Sequence, residues 1–275
     1  MISFYHKNKA LSTISSKRRN PVTENERFIS LVCDKIRRTE SAYMLTRTNF
    51  LNLSERSLAA AICKENGAKP FFWGGFPEAE RTVLFLLPDY MEADENFPDE
   101  EDNPLCLLHC KIPSGAKALT HRDYLGSLLA LGIEREVIGD ILVRENGADI
   151  IILKTIADYL LTGYEKAGHI PLKCEILPIE KLVPPEQKTV TVRESVASVR
   201  LDSIIGAVFG FSRTVACEHI NRGLVFVNDT QMSNPDAKLN IGDKIVVRGF
   251  GKAYFKEIGG TTRKGRLSVL FEKYI

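Results

Sequence analysis

Residues 199–251 read VRLDSIIGAVFGFSRTVACEHINRGLVFVNDTQMSNPDAKLNIGDKIVVRGFG. The stretch predicts two short helices and then a tight β unit. Leu201, Ile204, Ile205 and Val208 share one face at helical spacing. Gly210 ends that helix, and Ser212 suits the N-cap of the next. Val215, Ala216, His219 and Ile220 face one way on the second helix, and Gly223 falls where a left-handed residue closes it. Leu224–Val227 reads as a strand, Asn228-Asp229 as a tight turn, and Gly242-Asp243 as a second turn before the strand Lys244–Val247. Arg248-Gly249-Phe250-Gly251-Lys252 then reads as a flexible basic loop.

The basic residues sit at the ends of these elements. Arg200 precedes the first helix. Arg213 lies in the first turn of the second, beside N–H groups that favour an anion, and Arg222 leaves its end. Arg248 and Lys252 flank glycines that let a phosphate backbone approach. Each arginine alone suits a solvated face; together their spacing points to nucleic acid.

Charge is unevenly spread. The chain of 275 residues has a net charge of +2. Residues 187–275 hold 14 Lys and Arg against 8 Asp and Glu, and the first twenty hold five bases and no acid. Residues 21–186 are left with −9. A basic module on an acidic body makes the module the main electrostatic anchor. The length suffices for two or three compact units.

Four parts are expected along the chain. Residues 1–20 form a basic arm; their four serines and lack of acids also suit an organelle transit peptide. Residues 21–76 form a helical unit. One helix spans Glu24–Arg38, and a second, capped by Ser54, spans Glu55–Glu65 and stops at Gly67. Phe71–Phe76 is an aromatic-glycine turn, either a structural hinge or a surface for stacking bases. Residues 77–182 form a mixed unit with strands at 82–87, 105–112, 141–143, 150–153 and 172–177 and helices at 121–131 and 155–166. From Leu105 the order is β-α-β-β-α-β, which is ferredoxin-like, with an open sheet face that could meet RNA. Residues 183–275 form a linker, a first strand at Thr189–Val192 and the basic module. The expected class is therefore α+β.

Catalytic chemistry finds little support. His121-Arg122-Asp123 lacks the Asn that a kinase catalytic loop needs five residues after the Asp, where Leu128 stands. The run is open to two other readings. In one Thr120 only caps a helix, with Arg122 pairing locally; in the other His121 and Arg122 contact RNA at the helix N-terminus. Cys106-Leu107-Leu108-His109-Cys110 has no second pair of metal ligands nearby, and alternation puts Cys106, Leu108 and Cys110 on one buried strand face. Asp89–Asp102, with eight acids and no base, reads as a solvated loop. The six scattered cysteines suit reduced thiols in the cytoplasm. No apolar run is long enough for a membrane span. No cofactor, metal or membrane partner is expected.

The terminal stretch resembles the alpha-L RNA-binding motif, the S-four-type module named after the fourth small-subunit ribosomal protein. Arg200-Leu201-Asp202, Ser212-Arg213, Ile220, Gly223, Val225, Val227-Asn228, Gly242-Asp243 and Arg248-Gly249 carry the match. The motif usually has Gly after the Asn; here Asp229 puts an acid near the expected RNA face. Phe72–Phe76, Glu80-Arg81, Pro88-Asp89-Tyr90, Thr120–Gly126 and Ile138–Ile141 extend the likeness. Residues 24–275 thus resemble the YlmH family of bacterial RNA-binding proteins.

The resemblance implies a cytoplasmic, ribosome-associated factor. It would bind rRNA and tRNA on a stalled large subunit holding peptidyl-tRNA, and support tailing of the nascent chain in ribosome-associated quality control. Expected RNA contacts are Arg200, Ser212, Arg213, Arg222, Asn228, Arg248, Lys252, His121 and Arg122, on a monomer. The rival class is an RNA-modifying enzyme of pseudouridine-synthase type, since such modules are often attached to those enzymes. It needs a catalytic Asp in an Arg-Leu-Asp run, and the one such run is Arg200-Leu201-Asp202. A protein-interaction scaffold is a third class, separated by binding that ignores salt.

Overall fold

Thr23 caps the helix α1 (Glu24–Ala42) through a reciprocal pair with Glu26, whose carboxylate accepts from the Thr23 N–H at 2.7 Å. Described by the computed structural model are residues 23–93, 97–98, 103–184, 186, 188–263 and 265–274. The basic arm and much of the acidic loop lie outside them. After the strand β1 (Thr46–Leu51), Asn52 caps α2 (Leu53–Glu65), accepting from the N–H groups of Ser54 and Glu55 at 2.9 and 3.1 Å. The cap expected at Ser54 is thus two residues earlier, because Glu55 can answer Asn52 by accepting its N–H at 2.7 Å.

The first unit is not simply helical. β2 (Pro70–Trp73) and β3 (Thr82–Leu86) complete an antiparallel sheet with the order β1-β3-β2. β3, expected with the residues after it, is the central strand here, so a boundary at residue 76 cuts this sheet. All five of its residues are buried. Leu84 and Leu86 meet Val32, Ile36 and Ile62 of the helices, while Val83 and Phe85 face the other way. A strand covered on both faces reads as an unbroken apolar run, which gives no cue to its partners. Phe71 packs edge-on against Phe97 and tilted against Phe85, at 5.1 and 6.2 Å, so that ring is taken up by the core.

The second sheet is built from β4 (Leu105–Lys111), β5 (Ile138–Arg144), β6 (Gly147–Leu153) and β9 (Lys173–Pro178) in the order β5-β6-β4-β9, antiparallel throughout. α3 (His121–Ala130), α4 (Ala157–Gly163) and the short pair β7 (Lys166–Ala167) and β8 (Ile170–Pro171) connect these strands. Cys106, Leu108, Cys110, Ile150 and Ile152 pack with Tyr124 and Leu128 of α3 and Leu160 of α4.

The other face was expected to be open to RNA. Its apolar part is instead closed: Leu105, Leu107, Ile151 and Leu153 join Phe50, Val83 and Phe85 in one core. Four apolar side chains on that face make exposure costly. Beyond them the face turns polar, where the Asp149 carboxylate takes His109 at 2.6 Å and Arg144 at 2.9 Å.

The C-terminal module has a six-stranded sheet, β10-β15-β14-β13-β11-β12. Its elements are β10 (Thr189–Val196), α5 (Leu201–Phe209), α6 (Arg213–Asn221), β11 (Val225–Val227), β12 (Thr230–Gln231), β13 (Lys244–Val247), β14 (Gly251–Thr261) and β15 (Leu267–Tyr274). Leu201, Ile204, Ile205 and Val208 meet Ala216, Ile220, Ile245, Phe255 and Phe271 in its core. Arg248–Phe250 is a tight turn rather than a flexible loop, closed by the Phe250 N–H on the Val247 carbonyl at 2.9 Å. The β14–β15 hairpin escapes the sequence because two register shifts break its alternation.

Gly139 marks the contact between the first two units. A Cβ there would lie 2.8 Å from the Phe50 ring and 3.1 Å from Ile151. Gly139→Ala should therefore lower stability by about 1–3 kcal/mol, read as an earlier midpoint in urea.

Candidate nucleic-acid interface

The basic ends of the helices converge on one buried carboxylate. Arg200 is the N-cap residue of α5 and Asp202 lies in that helix's first turn. The Arg200 Nε and Nη2 donate to the two Asp202 oxygens at 3.1 and 2.9 Å, and the Ser203 N–H donates at 2.8 Å. Arg213, first residue of α6, adds its Nε at 3.1 Å. The Asp202 side chain is 1% exposed while that of Arg213 is 73% exposed. One carboxylate therefore anchors the stem of an outward-facing guanidinium. Burial pushes the Asp202 carboxyl up, but the bonds from Arg200, Ser203 and Arg213 outweigh it and hold the group below its ordinary value.

The other expected contacts divide into two kinds. Ser212 caps α6, accepting the Val215 N–H at 3.3 Å. Arg222 and Arg248 are exposed, and no carboxylate pairs with either among the described residues. His121 and Arg122 stand exposed in the first turn of α3, which Thr120 caps with Asp123. The capping reading of that run is thus met, and the cap leaves the two basic side chains at the surface.

Three expected contacts are occupied within the molecule. Arg200 is held by Asp202 and also by Asp236. Asn228, left-handed at φ 49°, donates to Asp243 at 2.8 Å and accepts the Lys244 N–H at 2.9 Å, locking two turns together. Lys252 lies in β14, pairs with Glu78 at 2.7 Å and stands 4.3 Å over the Tyr274 ring. Asp229 faces the first unit and not an open RNA surface: it takes Arg56 at 3.2 Å and Lys244 at 2.9 Å.

These pairs flank a cleft of about 560 Å³ between the first unit and the module. Arg56, Arg81, Arg135, Lys244, Arg248 and Lys252 line it together with Glu78, Glu80 and Asp229. His121 adjoins it. Burial and the nearby Arg135 lower the His121 imidazole, against an opposing pull from Glu80. Arg56 and Arg135 were missed because no local pattern marks them; Arg81 stands in a family-like run but was given no role. Phe250, 49% exposed, is braced at 4.8 Å by both Phe211 and His219.

Residues 98–181 match the model of the putative RNA-binding domain in YlmH. "Ribosome-associated protein quality control protein P2" of Bacillus subtilis is 27% identical over 246 residues, spanning 90% of this chain and 94% of the relative. A solved structure titled "Cell division protein ylmH from Streptococcus pneumoniae" is 28% identical, covers 60% of this chain and 98% of its own, and superimposes with a TM-score of 0.48.

Asp202 also makes a pH prediction. Its folded pKa is depressed, so its stabilisation is present above the ordinary value of 3.8 and is lost as pH falls through the folded value. The stability gap between the native chain and Asp202→Asn should be flat near neutrality and close below about pH 4, measured by urea unfolding across pH. A gap that widened on acidification would contradict the bracket. Residues 98–181 thus resemble the RNA-binding domain in YlmH, and the Bacillus subtilis relative aligns along most of the chain's length.

Proposed function

We propose that this protein is a non-catalytic RNA-binding factor that acts on the ribosome. The observation that carries the reading is the outward guanidinium of Arg213. It is held at the start of α6 by a buried carboxylate and leaves most of its N–H groups free for a phosphate. Arg222 and Arg248 on the module and His121 and Arg122 in the family-matched region extend the same chemistry. Arg200, Ser212, Asn228 and Lys252 position these groups and need not touch RNA. The module is read as S-four-type, beside a ferredoxin-like middle unit.

The finer role comes from the relative, whose name assigns it to ribosome-associated protein quality control. On this reading the RNA is rRNA and tRNA on a stalled large subunit, in the cytoplasm, and the factor works as a monomer. Among the described residues no helix is long and apolar enough to cross a membrane. The rival reading gives Asp202 a catalytic role. Against it, both Asp202 oxygens already accept from Arg200, and one is shared with Arg213. A nucleophile or base needs a free oxygen facing substrate.

The test is the salt dependence of binding to large-subunit RNA. Affinity of the native chain should fall steeply with salt. Arg213→Ala with Arg222→Ala should weaken binding and make the log–log slope shallower by about 1–2. Unchanged affinity and slope would exclude this face. Site-specific modification of ribosomal RNA that is lost in Asp202→Ala, seen by mass, would replace binding with catalysis.

A further inference from the structure

We propose that the cleft between the first unit and the C-terminal module is a phosphate-binding site, with Arg81, Arg135 and Arg248 gripping the phosphate group. The proposal relies on the RNA reading only for the source of that phosphate. Six basic side chains line the cleft, and three of them are paired there with two carboxylates. Arg56 and Lys244 share Asp229, and Lys252 takes Glu78. Arg81, Arg135 and Arg248 have no carboxylate within ion-pair distance among the described residues.

Two of the three are forced together. The Arg81 Nε and the Arg135 Nη1 both donate to the Ile138 carbonyl, at 2.9 and 2.5 Å. Arg81 Nη2 also reaches the carbonyls of Phe50 and Arg135, at 3.2 and 3.1 Å, and Arg135 Nη1 reaches that of Gly139 at 3.2 Å. Two guanidinium groups thus converge on one neutral oxygen. Carbonyl dipoles orient them without cancelling their charge.

The nearby Asp140 carboxylate is occupied by the N–H groups of Glu80 and Arg81, at 2.8 and 3.1 Å. Burial and the neighbouring Arg81 push Arg135 down to about 10 against the opposing pull of Asp140, so the charged pair is held at a cost that a further anion would relieve. Arg248 faces the pair across the cleft from an exposed turn; burial lowers Arg81 most, Glu55, Asp140 and Glu136 oppose that, and Arg248 adds a smaller push down. The Arg56 Nε is a further buried donor without a partner on that wall.

Glu80 and Glu78 also line the cleft, but Glu78 is already bonded to Lys252 and Tyr254. Fixed forks of N–H donors with unspent positive charge match a tetrahedral phosphate better than a planar or neutral ligand. The phosphate comes from one of two sources, the RNA backbone or a free phosphate compound.

Arg248→Ala tests this on the full chain, since that side chain makes no bond within the described residues and its loss leaves the fold intact. Thermal unfolding is followed in pyrophosphate and in chloride at equal ionic strength. Pyrophosphate should raise the midpoint of the native chain by about 2–4 °C, and the rise should vanish in Arg248→Ala. Arg222→Ala, away from the cleft, should keep it.

In parallel, the salt slope for large-subunit RNA is measured. A slope shallower by about 0.7–0.9 in Arg248→Ala assigns the phosphate to RNA. An unchanged slope with the pyrophosphate rise intact in the native chain assigns it to a free phosphate compound. Absence of both the pyrophosphate rise and the slope change overturns the site. A native chain that binds no RNA but gains stability in pyrophosphate sinks the RNA reading and keeps the cleft.

Discussion

The placement of the C-terminal module depends on Asp229. Its carboxylate joins Arg56 of α2 to Lys244 of β13, with Arg56 only 13% exposed. An ion pair this sheltered adds little beyond its desolvation cost, but removing one partner strands the others. The Ser57 hydroxyl accepts the Gln231 N–H at 3.0 Å beside it, and the Glu78–Lys252 pair closes the far end. The motif's usual Gly at this position could make the turn but not the link. The departure that looked like an acid misplaced on an RNA surface is therefore what docks the module. The left-handed conformation, φ 63°, is tolerated because Asp is among the residues that enter that region most readily.

That docking separates what local sequence shows from what it hides. Helices α5 and α6, the Asn228-Asp229 turn and strand β13 follow from spacing and turn chemistry, and residues 201–247 fold close to that reading. The middle unit is legible for the same reason, since each of its strands is a short apolar run between turn signals. The first sheet was hidden. Thr82–Leu86 is apolar on every side and names no partner, so only the covering of both its faces reveals the sheet to which it belongs. The closed face of the second sheet was lost with it, because its lid is that first sheet.

The site was legible in residue type and not in role. Arginines at element ends announce an anion, yet a sequence cannot say which of them are already paired. Arg200 and Arg213 look alike in the chain and differ by their surroundings. Arg200 has Asp236 as a second acid, whereas Arg213 touches Asp202 through Nε alone and remains 73% exposed. The same division runs through the cleft, where Lys252 meets Glu78 and Arg248 meets no acid among the described residues.

A rigid arrangement of three units then has a physical consequence for binding. Residues 21–186 carry −9 in all, so the net charge of that part of the chain disfavours a polyanion. On the proposed reading, attraction falls to the module's outer arginines and to the cleft, whose wall Arg81 and Arg135 from the acidic body share with Arg248. Holding those groups in place before RNA arrives removes the entropic cost of gathering them. A flexibly tethered module would carry the same charges but would have to collect its share of the cleft at each encounter. Asp229 and Glu78, which hold Arg56, Lys244 and Lys252, thus offset two positive charges while fixing the geometry of the arginines beside them.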